Sequence, residues 1–309
     1  MAGKALVTGA HGFVGRHLCR YLETREWEVL RTDRGMEAES GRACELTNAE
    51  ETGALAVWAE KPDCVFHLAA LSFLPDADSS PLAAFDVNLR GTLNLTEALI
   101  RHAPDTRFLF IGSAASYGVP HVLPVTEDHP LAPGNPYAIS KTAADHYCAY
   151  LDDTGRLDTV RLRPFNHSGP GQPPHFVLSS LAKQIAAIEH GQQEPVIRVG
   201  NLHAARDFTH VKDVIRAYEL AARHGATGQA YNICSGRAWS IEETLNLFLR
   251  RTQVSVEVTV EQSRQRASDV REVVGSHAKF TSLTKWRPDT PFERILDDLL
   301  LYWRQHFSR

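Results

Sequence analysis

No stretch of the 309 residues approaches the ~20 consecutive apolar residues of a membrane-spanning helix, so no membrane association is expected. The N-terminus shows no charged segment followed by an apolar one. The chain runs from Met1 almost at once into the strand-like run beginning at Lys4, which points to a cytoplasmic protein rather than a secreted one. Cysteine is scarce and scattered. Cys19, Cys44, Cys64, Cys148 and Cys234 are odd in number and contain no C-x-x-C pair, so they read as small core residues in a reducing compartment and argue against a disulfide framework or a zinc site. The 15 histidines show no H-E-x-x-H or H-x-x-x-H spacing, and no metal is expected. There is no excess of positive charge: the net charge is −4 and no basic stripe stands out, which argues against nucleic-acid binding.

What is present is an ordinary globular composition, 43% hydrophobic and 23% charged, in a chain long enough for one or two domains with a sizeable core. Short apolar runs at 5–8, 29–32, 63–68 and 108–111 alternate with helical patterns at 14–22, 85–100 and after Pro136. Such alternation predicts a parallel sheet covered on both faces. The second half is less regular. A Pro/Gly-rich segment at 163–174 gives way to a helix over 176–190, a strand at 195–199, a helix over 211–224 and a strand at 231–234. Ser240, with Glu243 three residues on, reads as a helix N-cap, and an aromatic-rich helix closes the chain near 292–307.

Directly after the first strand comes Gly9-Ala10-His11-Gly12-Phe13-Val14-Gly15, a G-x-x-G-x-x-G loop opening a helix. Glycines are needed where the chain turns tightly and where a pyrophosphate must reach the amides of a helix N-terminus. The second strand ends at Asp33, eighteen residues past Gly15, where a carboxylate can accept from adenosine ribose hydroxyls and favours NAD. Arg31 and Arg34 flank it, and a guanidinium there could hold the extra phosphate of NADP. The implied cofactor is NAD or NADP. The fold class is α/β, a doubly wound parallel Rossmann sheet with a smaller, partly interleaved α/β substrate domain. The dinucleotide domain is expected at 1–163 plus about 203–236, and the substrate domain at about 164–202 and 237–309.

Pro136-Tyr137-Ala138-Ile139-Ser140-Lys141 is a Y-x-x-x-K pair at a helix start, both side chains on one face. A phenol becomes a useful acid or base when a nearby ammonium and the positive helix end lower its pKa. Ser113 follows the strand at 108–111, at the strand end where open α/β sheets bind ligands, and could hydrogen-bond the same substrate oxygen.

With the glycine loop, His67-Leu68-Ala69-Ala70, Asn88 with Gly91-Thr92, Ser113 with Tyr117-Gly118, and Tyr137 with Lys141, the whole chain resembles an extended short-chain dehydrogenase/reductase acting on nucleoside diphosphate sugars. The resemblance implies Ser113, Tyr137 and Lys141 as the catalytic set, with tyrosine as central acid or base and lysine also holding the nicotinamide ribose. It implies a cofactor site at Gly9, His11, Gly12, Phe13, Val14, Gly15, Asp33, Arg34, Glu45, Leu46, Leu68, Ala69, Ala70, Asn88, Tyr137, Lys141 and Pro164. The segment from Arg163 to Gln172 and the run Val199-Gly200-Asn201-Leu202 into Ala205-Arg206-Asp207-Phe208 are similar to the GDP-sugar branch, the GDP-mannose 4,6-dehydratases and GDP-4-keto-6-deoxy-mannose reductases. Arg163-Pro164-Phe165-Asn166-His167, the run from Phe176-Val177 to Ile185-Ala186 and the closing Tyr302-Trp303-Arg304 look closer to the reductases. By this resemblance Asn166, Arg206 and Arg266 contact the substrate pyrophosphate and Asp269 its ribose, with Ser113, Val177 and Asn201 also lining the substrate site. Arg264 and Arg271 are close enough in sequence to take the part of Arg266.

Dehydratases of this family carry a glutamate just after the strand-end serine or threonine, whereas Ala114 and Ala115 stand here. Elimination of water needs an acid and a base near C5 and C6, and this loop supplies neither. The expected reaction is therefore hydride transfer from NAD(P)H to the C4 carbonyl of GDP-4-keto-6-deoxy-D-mannose, giving GDP-D-rhamnose. An NDP-sugar 4-epimerase with tightly held NAD uses the same residues and stays open; a non-catalytic dinucleotide sensor is a remote alternative. A homodimer is expected from the resemblance.

Overall fold

The computed structural model describes residues 3–262 and 270–308. The chain begins β1 (Gly3–Thr8), α1 (Phe13–Thr24), β2 (Trp27–Asp33), a two-residue β3 (Arg42–Ala43), α2 (Ala49–Trp58) and β4 (Cys64–His67). Two short helices, α3 (Leu74–Ser79) and α4 (Pro81–Phe85), lead through a π turn (Asp86–Arg90) into α5 (Gly91–His102). Then come β5 (Arg107–Ile111), a 3-10 turn (Ala114–Tyr117), α6 (Pro136–Asp153), β6 (Thr159–Pro164) and β7 (Asn166–Ser168). The remainder is α7 (Val177–Glu189), β8 (Val196–Val199), β9 (Ala205–His210), α8 (Val211–His224), β10 (Ala230–Ile233) and β11 (Ala238–Ser240). It ends with α9 (Ile241–Leu249), β12 (Glu257–Val260), β13 (Glu272–Val273), α10 (Ala278–Thr284) and α11 (Phe292–Phe307).

Seven strands pair in the order β10-β6-β5-β4-β1-β2-β3, every pairing parallel. This is the doubly wound Rossmann sheet. Alternation along each strand feeds two cores. Ala5 and Val7 of β1, Phe66 of β4 and Leu109 of β5 join α1 and α8 on one face. Leu6, Val65, Phe108 and Phe110 point the other way, into α2, α5 and α6. Both faces of the central strands are thus buried, as parallel sheets require, and each large side chain so buried contributes about 1.5–3 kcal/mol. A separate core gathers Leu178, Leu181, Ile185, Ile197, Phe208, Phe248, Ile295, Leu299 and Trp303 from α7, β8, β9, α9 and α11.

The helix expected over 85–100 is interrupted: the π turn at Asp86–Arg90 separates α4 from α5. Its cause is polar. Asn88 turns inward to bond the backbone of Leu71, and an inserted residue re-aims it. Ser240 does cap α9 in a reciprocal box with Glu243. β9 carries β11 on one side, antiparallel, and β13 on the other, parallel, and β7 pairs parallel with its C-terminal half. Because β7 begins two residues after β6 ends, this smaller sheet starts at the C-terminal edge of the large one.

Candidate active site

The glycine loop is tight. Gly9 has φ +68°, and a Cβ on it would stand 2.8 Å from the Ala69 nitrogen; one on Gly15 would stand 2.1 Å from the Gly9 carbonyl oxygen. Only glycine lets α1 sit this close to β1. The helix opens at Gly12 with no side-chain cap and no acidic residue in its first turn, so its first amides are left for an anion. At the end of β2, the Asp33 carboxylate accepts the His11 N–H at 3.0 Å and the Arg34 N–H at 2.8 Å, one on each oxygen. Each oxygen keeps a lone pair for a ribose hydroxyl. The exposed Arg34 guanidinium lies 4.0 Å from Glu45, so a cation is also at hand beside Asp33. This cradle fits a dinucleotide.

Beside it, His67 bridges β1 and α5: Nδ1 meets Thr8 Oγ1 at 2.9 Å and Nε2 meets Thr92 Oγ1 at 3.0 Å. Burial, with Lys141 as a lesser cause, pushes its pKa down to about 3, so the ring is a neutral strut. Leu68, Ala69 and Ala70, all partly exposed, follow it, and the Ala69 N–H donates to Thr8 Oγ1 at 3.2 Å. Asn88, fully buried, spends its amide on Leu71 N–H and C=O and on Ser140 Oγ. It ties this loop to α6. Leu46 is buried against Gly91, and Pro164 pairs with Ile233 at the C-terminal end of β6.

Asn135 caps α6 by accepting the Ala138 N–H at 2.8 Å, with Pro136 in the first turn. The cap sets Tyr137 at the helix start. The Ser113 Oγ accepts the Ala115 N–H at 3.1 Å, which leaves its hydrogen for the Tyr137 phenol, with which it is hydrogen-bonded. Burial raises the Tyr137 pKa and the Ser113 bond offsets part of the rise. The expected lowering by Lys141 and the helix end is not what the structure shows: desolvation is the larger cause and the shift is upward. At neutral pH the phenol is protonated. One turn on, Lys141 is 2% exposed, its Nζ 4.5 Å from the centre of the Phe110 ring. Burial lowers its pKa to about 8, against smaller opposing effects of Cys148 and Asp145.

A third residue on this helical stripe escaped the sequence reading. Asp145 stands four residues after Lys141, fully buried, and accepts Arg163 Nε at 3.0 Å, Arg163 Nη2 at 2.9 Å and Arg161 Nη1 at 2.9 Å. Arg163 Nη1 donates to the Tyr117 hydroxyl, which donates to Asn232 at 2.7 Å. This network joins α6, β6, β10 and the turn after Ser113, and so fixes the distance between Ser113 and Tyr137. The signal was available: Tyr137, Lys141 and Asp145 fall at i, i+4 and i+8. Asp145→Ala leaves two arginines without their buried anion and is expected to cost about 3–5 kcal/mol of stability, measured by denaturant unfolding.

Asn166 and Arg206 lie on the smaller sheet, Val177 on α7 and Asn201 just after β8. Asn166 is exposed at the start of β7, and its Cα partner on β9 is Phe208. Arg206, two residues before Phe208, is partly buried, and its Nη1 donates to the Ala205 and Val270 carbonyls. Val177 is exposed at the first turn of α7, and the Asn201 side chain accepts the His203 N–H at 3.0 Å. Asn166 and Arg206 are brought onto one face of the sheet. Arg266 and Asp269 lie outside the described residues.

Residues 5–234 match the NAD dependent epimerase/dehydratase family. The chain is 37% identical to GDP-6-deoxy-D-mannose reductase of Pseudomonas aeruginosa, over 98% of both chains. It is similar to the solved structure of RMD from Pseudomonas aeruginosa complexed with NADPH, with TM-score 0.90, 36% identity, and coverage of 98% of this chain and 99% of that one. It is also similar to Thermus thermophilus UDP-glucose 4-epimerase in complex with NAD, with TM-score 0.86, 28% identity, and coverage of 97% and 99%.

Proposed function

The chain belongs to the NAD dependent epimerase/dehydratase family and is an NAD(P)-dependent oxidoreductase, and on that premise we propose that it is a nucleotide-sugar reductase acting on the C4 carbonyl of GDP-4-keto-6-deoxy-D-mannose to give GDP-D-rhamnose. The observation that carries this reading is the whole-length similarity to GDP-6-deoxy-D-mannose reductase, 37% identical over 98% of both chains, with Tyr137 beside Ser113 where a ketone oxygen would be protonated. Reduction of a ketone needs an acid at the carbonyl oxygen, and epimerisation of an alcohol must begin with a base. The alanines at 114 and 115 fit the same reading, since they place no carboxylate beside the sugar for dehydration.

A nicotinamide dinucleotide held by the Gly9–Gly15 loop and Asp33 would supply the hydride. Ser113 holds its hydroxyl toward the reacting oxygen, anchored from behind by the Ala115 N–H. Tyr137 gives its proton to that oxygen as negative charge develops there. Lys141, one turn on, would favour the phenolate that remains and would help to hold the nicotinamide ribose. Asn166 and Arg206 would hold the diphosphate, the guanidinium fork matching phosphate oxygens.

Mixing the purified protein with GDP-4-keto-6-deoxy-D-mannose and either reduced dinucleotide is expected to consume NAD(P)H, followed at its absorbance band. Folded protein that oxidises neither dinucleotide contradicts the proposal. The second reading, a 4-epimerase with retained NAD, draws support from the epimerase relatives and from Asp33. It expects NAD to co-purify and a nucleotide sugar to be converted without added cofactor.

A further inference from the structure

An unassigned cation shares the face that carries Asn166 and Arg206. Arg237 is exposed just before β11, its guanidinium carbon 3.9 Å over the Trp239 ring. Trp239 is itself stacked on Phe292, with ring centres 4.5 Å apart and planes 14° from parallel. The platform is therefore fixed by the core of α11. The backbone leading to Arg237 is fixed as well: Ser235 N–H and Gly236 N–H both donate to the Asp207 carboxylate, at 2.7 and 2.9 Å.

The neighbouring carboxylates are occupied. Asp207 also accepts the Ser235 hydroxyl and the Gly275 N–H, and Glu243 is held in the capping box by Ser240. The Glu243 carboxylate, held by Ser240, also feels the Arg237 charge, but among the described residues the Arg237 side chain makes no hydrogen bond or ion pair and rests on the Trp239 ring. Stacking uses only the flat face of a guanidinium; the N–H edge stays free for a planar or tetrahedral anion.

Strand register places that edge. Trp239 pairs with Arg206 across the β9–β11 ladder, and Asn166 pairs with Phe208 across β7–β9. Residues directly opposite share a face, as do residues two apart on one strand. Asn166, Phe208, Arg206 and Trp239 therefore line one face, and the contact with the Trp239 ring holds the Arg237 guanidinium over the same face. Two guanidinium groups on one face can close on a single diphosphate.

We propose that Arg237 is a further substrate-binding residue, which with Arg206 clamps the diphosphate of the nucleotide sugar. The inference rests on the nucleotide-sugar reading of this face. Its test is direct binding of GDP, and of UDP in parallel, to the purified full chain by titration calorimetry. Arg237→Gln is expected to weaken both nucleotides by about tenfold or more, with NADPH binding unchanged as a control for folding, and Arg237→Lys is expected to recover part of the loss. If Arg237→Gln binds within twofold of wild type while Arg206→Gln is severely weakened, the role of Arg237 is overturned and the site stands. If wild type binds neither nucleotide, or neither variant alters binding, the reading of the whole face fails and the proposal with it.

Discussion

Tyr137→Phe is expected to lower the turnover of ketone reduction by between about 10²- and 10⁴-fold, the range that removal of a positioned general acid commands, while nucleotide and dinucleotide binding stay near wild type. Phenylalanine keeps the ring that fills the start of α6 and deletes only the hydroxyl. The Ser113 hydroxyl and the Asp145 network remain to hold the turn in place. Loss should therefore appear in kcat and not in KM, because the deleted proton is given only as charge develops on the substrate oxygen. Steady-state kinetics beside calorimetric binding of NADPH and GDP checks both halves. A variant that keeps more than a tenth of wild-type turnover would remove tyrosine from the chemistry.

Lys141→Met is expected to do two opposite things: cut turnover by on the order of 10²-fold or more, and raise the melting temperature at neutral pH by several degrees. The second effect follows from the burial of an ammonium against the Phe110 ring. A folded pKa of about 8 against an ordinary 10.5 means that the folded state holds the charged form at a cost of about 3 kcal/mol below pH 8. Between pH 8 and 10.5 the unfolded chain binds the proton and the folded chain does not, so wild-type stability rises with pH over that window. The gain shown by the methionine variant is thus full at pH 7 and shrinks as pH approaches about 10.5. Methionine retains the unbranched length and fills the same space. Thermal unfolding of both proteins at pH 7 and pH 10 tests the sign; equal melting temperatures at pH 7 would mean that the ammonium is not strained.

The parallel sheet was legible because its strands are buried on both faces, and runs such as 108–111 announce that without any partner in view. The long helices were legible from their apolar stripes, with α8 at Val211–His224 and α11 at Phe292–Phe307 falling at the expected positions. β9 was not read as a strand, since Ala205–His210 is rich in charged and polar residues whose burial depends on distant partners: Asp207 is satisfied by Ser235, Gly236 and Gly275. The π turn was invisible for a similar reason, as the inward swing of Asn88 answers the backbone of Leu71. Tyr137, Lys141 and Ser113 could be named from spacing, yet their protonation could not. The helix end and the lysine argued for a lowered phenol pKa, and only burial, a property of the folded chain, reverses the direction. Arg163 was quoted as part of a motif; its bond to Asp145 needed the fold.

The central claim is that hydride leaves the dinucleotide and stays on the sugar, with Tyr137 supplying the proton. Reaction of the wild-type protein with GDP-4-keto-6-deoxy-D-mannose and NADPH deuterated at the transferable C4 position, read by mass and NMR spectra of the product, tests it most directly. The account predicts one deuterium at sugar C4 for each NADPH oxidised. Deuterium that remains in the dinucleotide while a sugar nucleotide is nevertheless converted would contradict it.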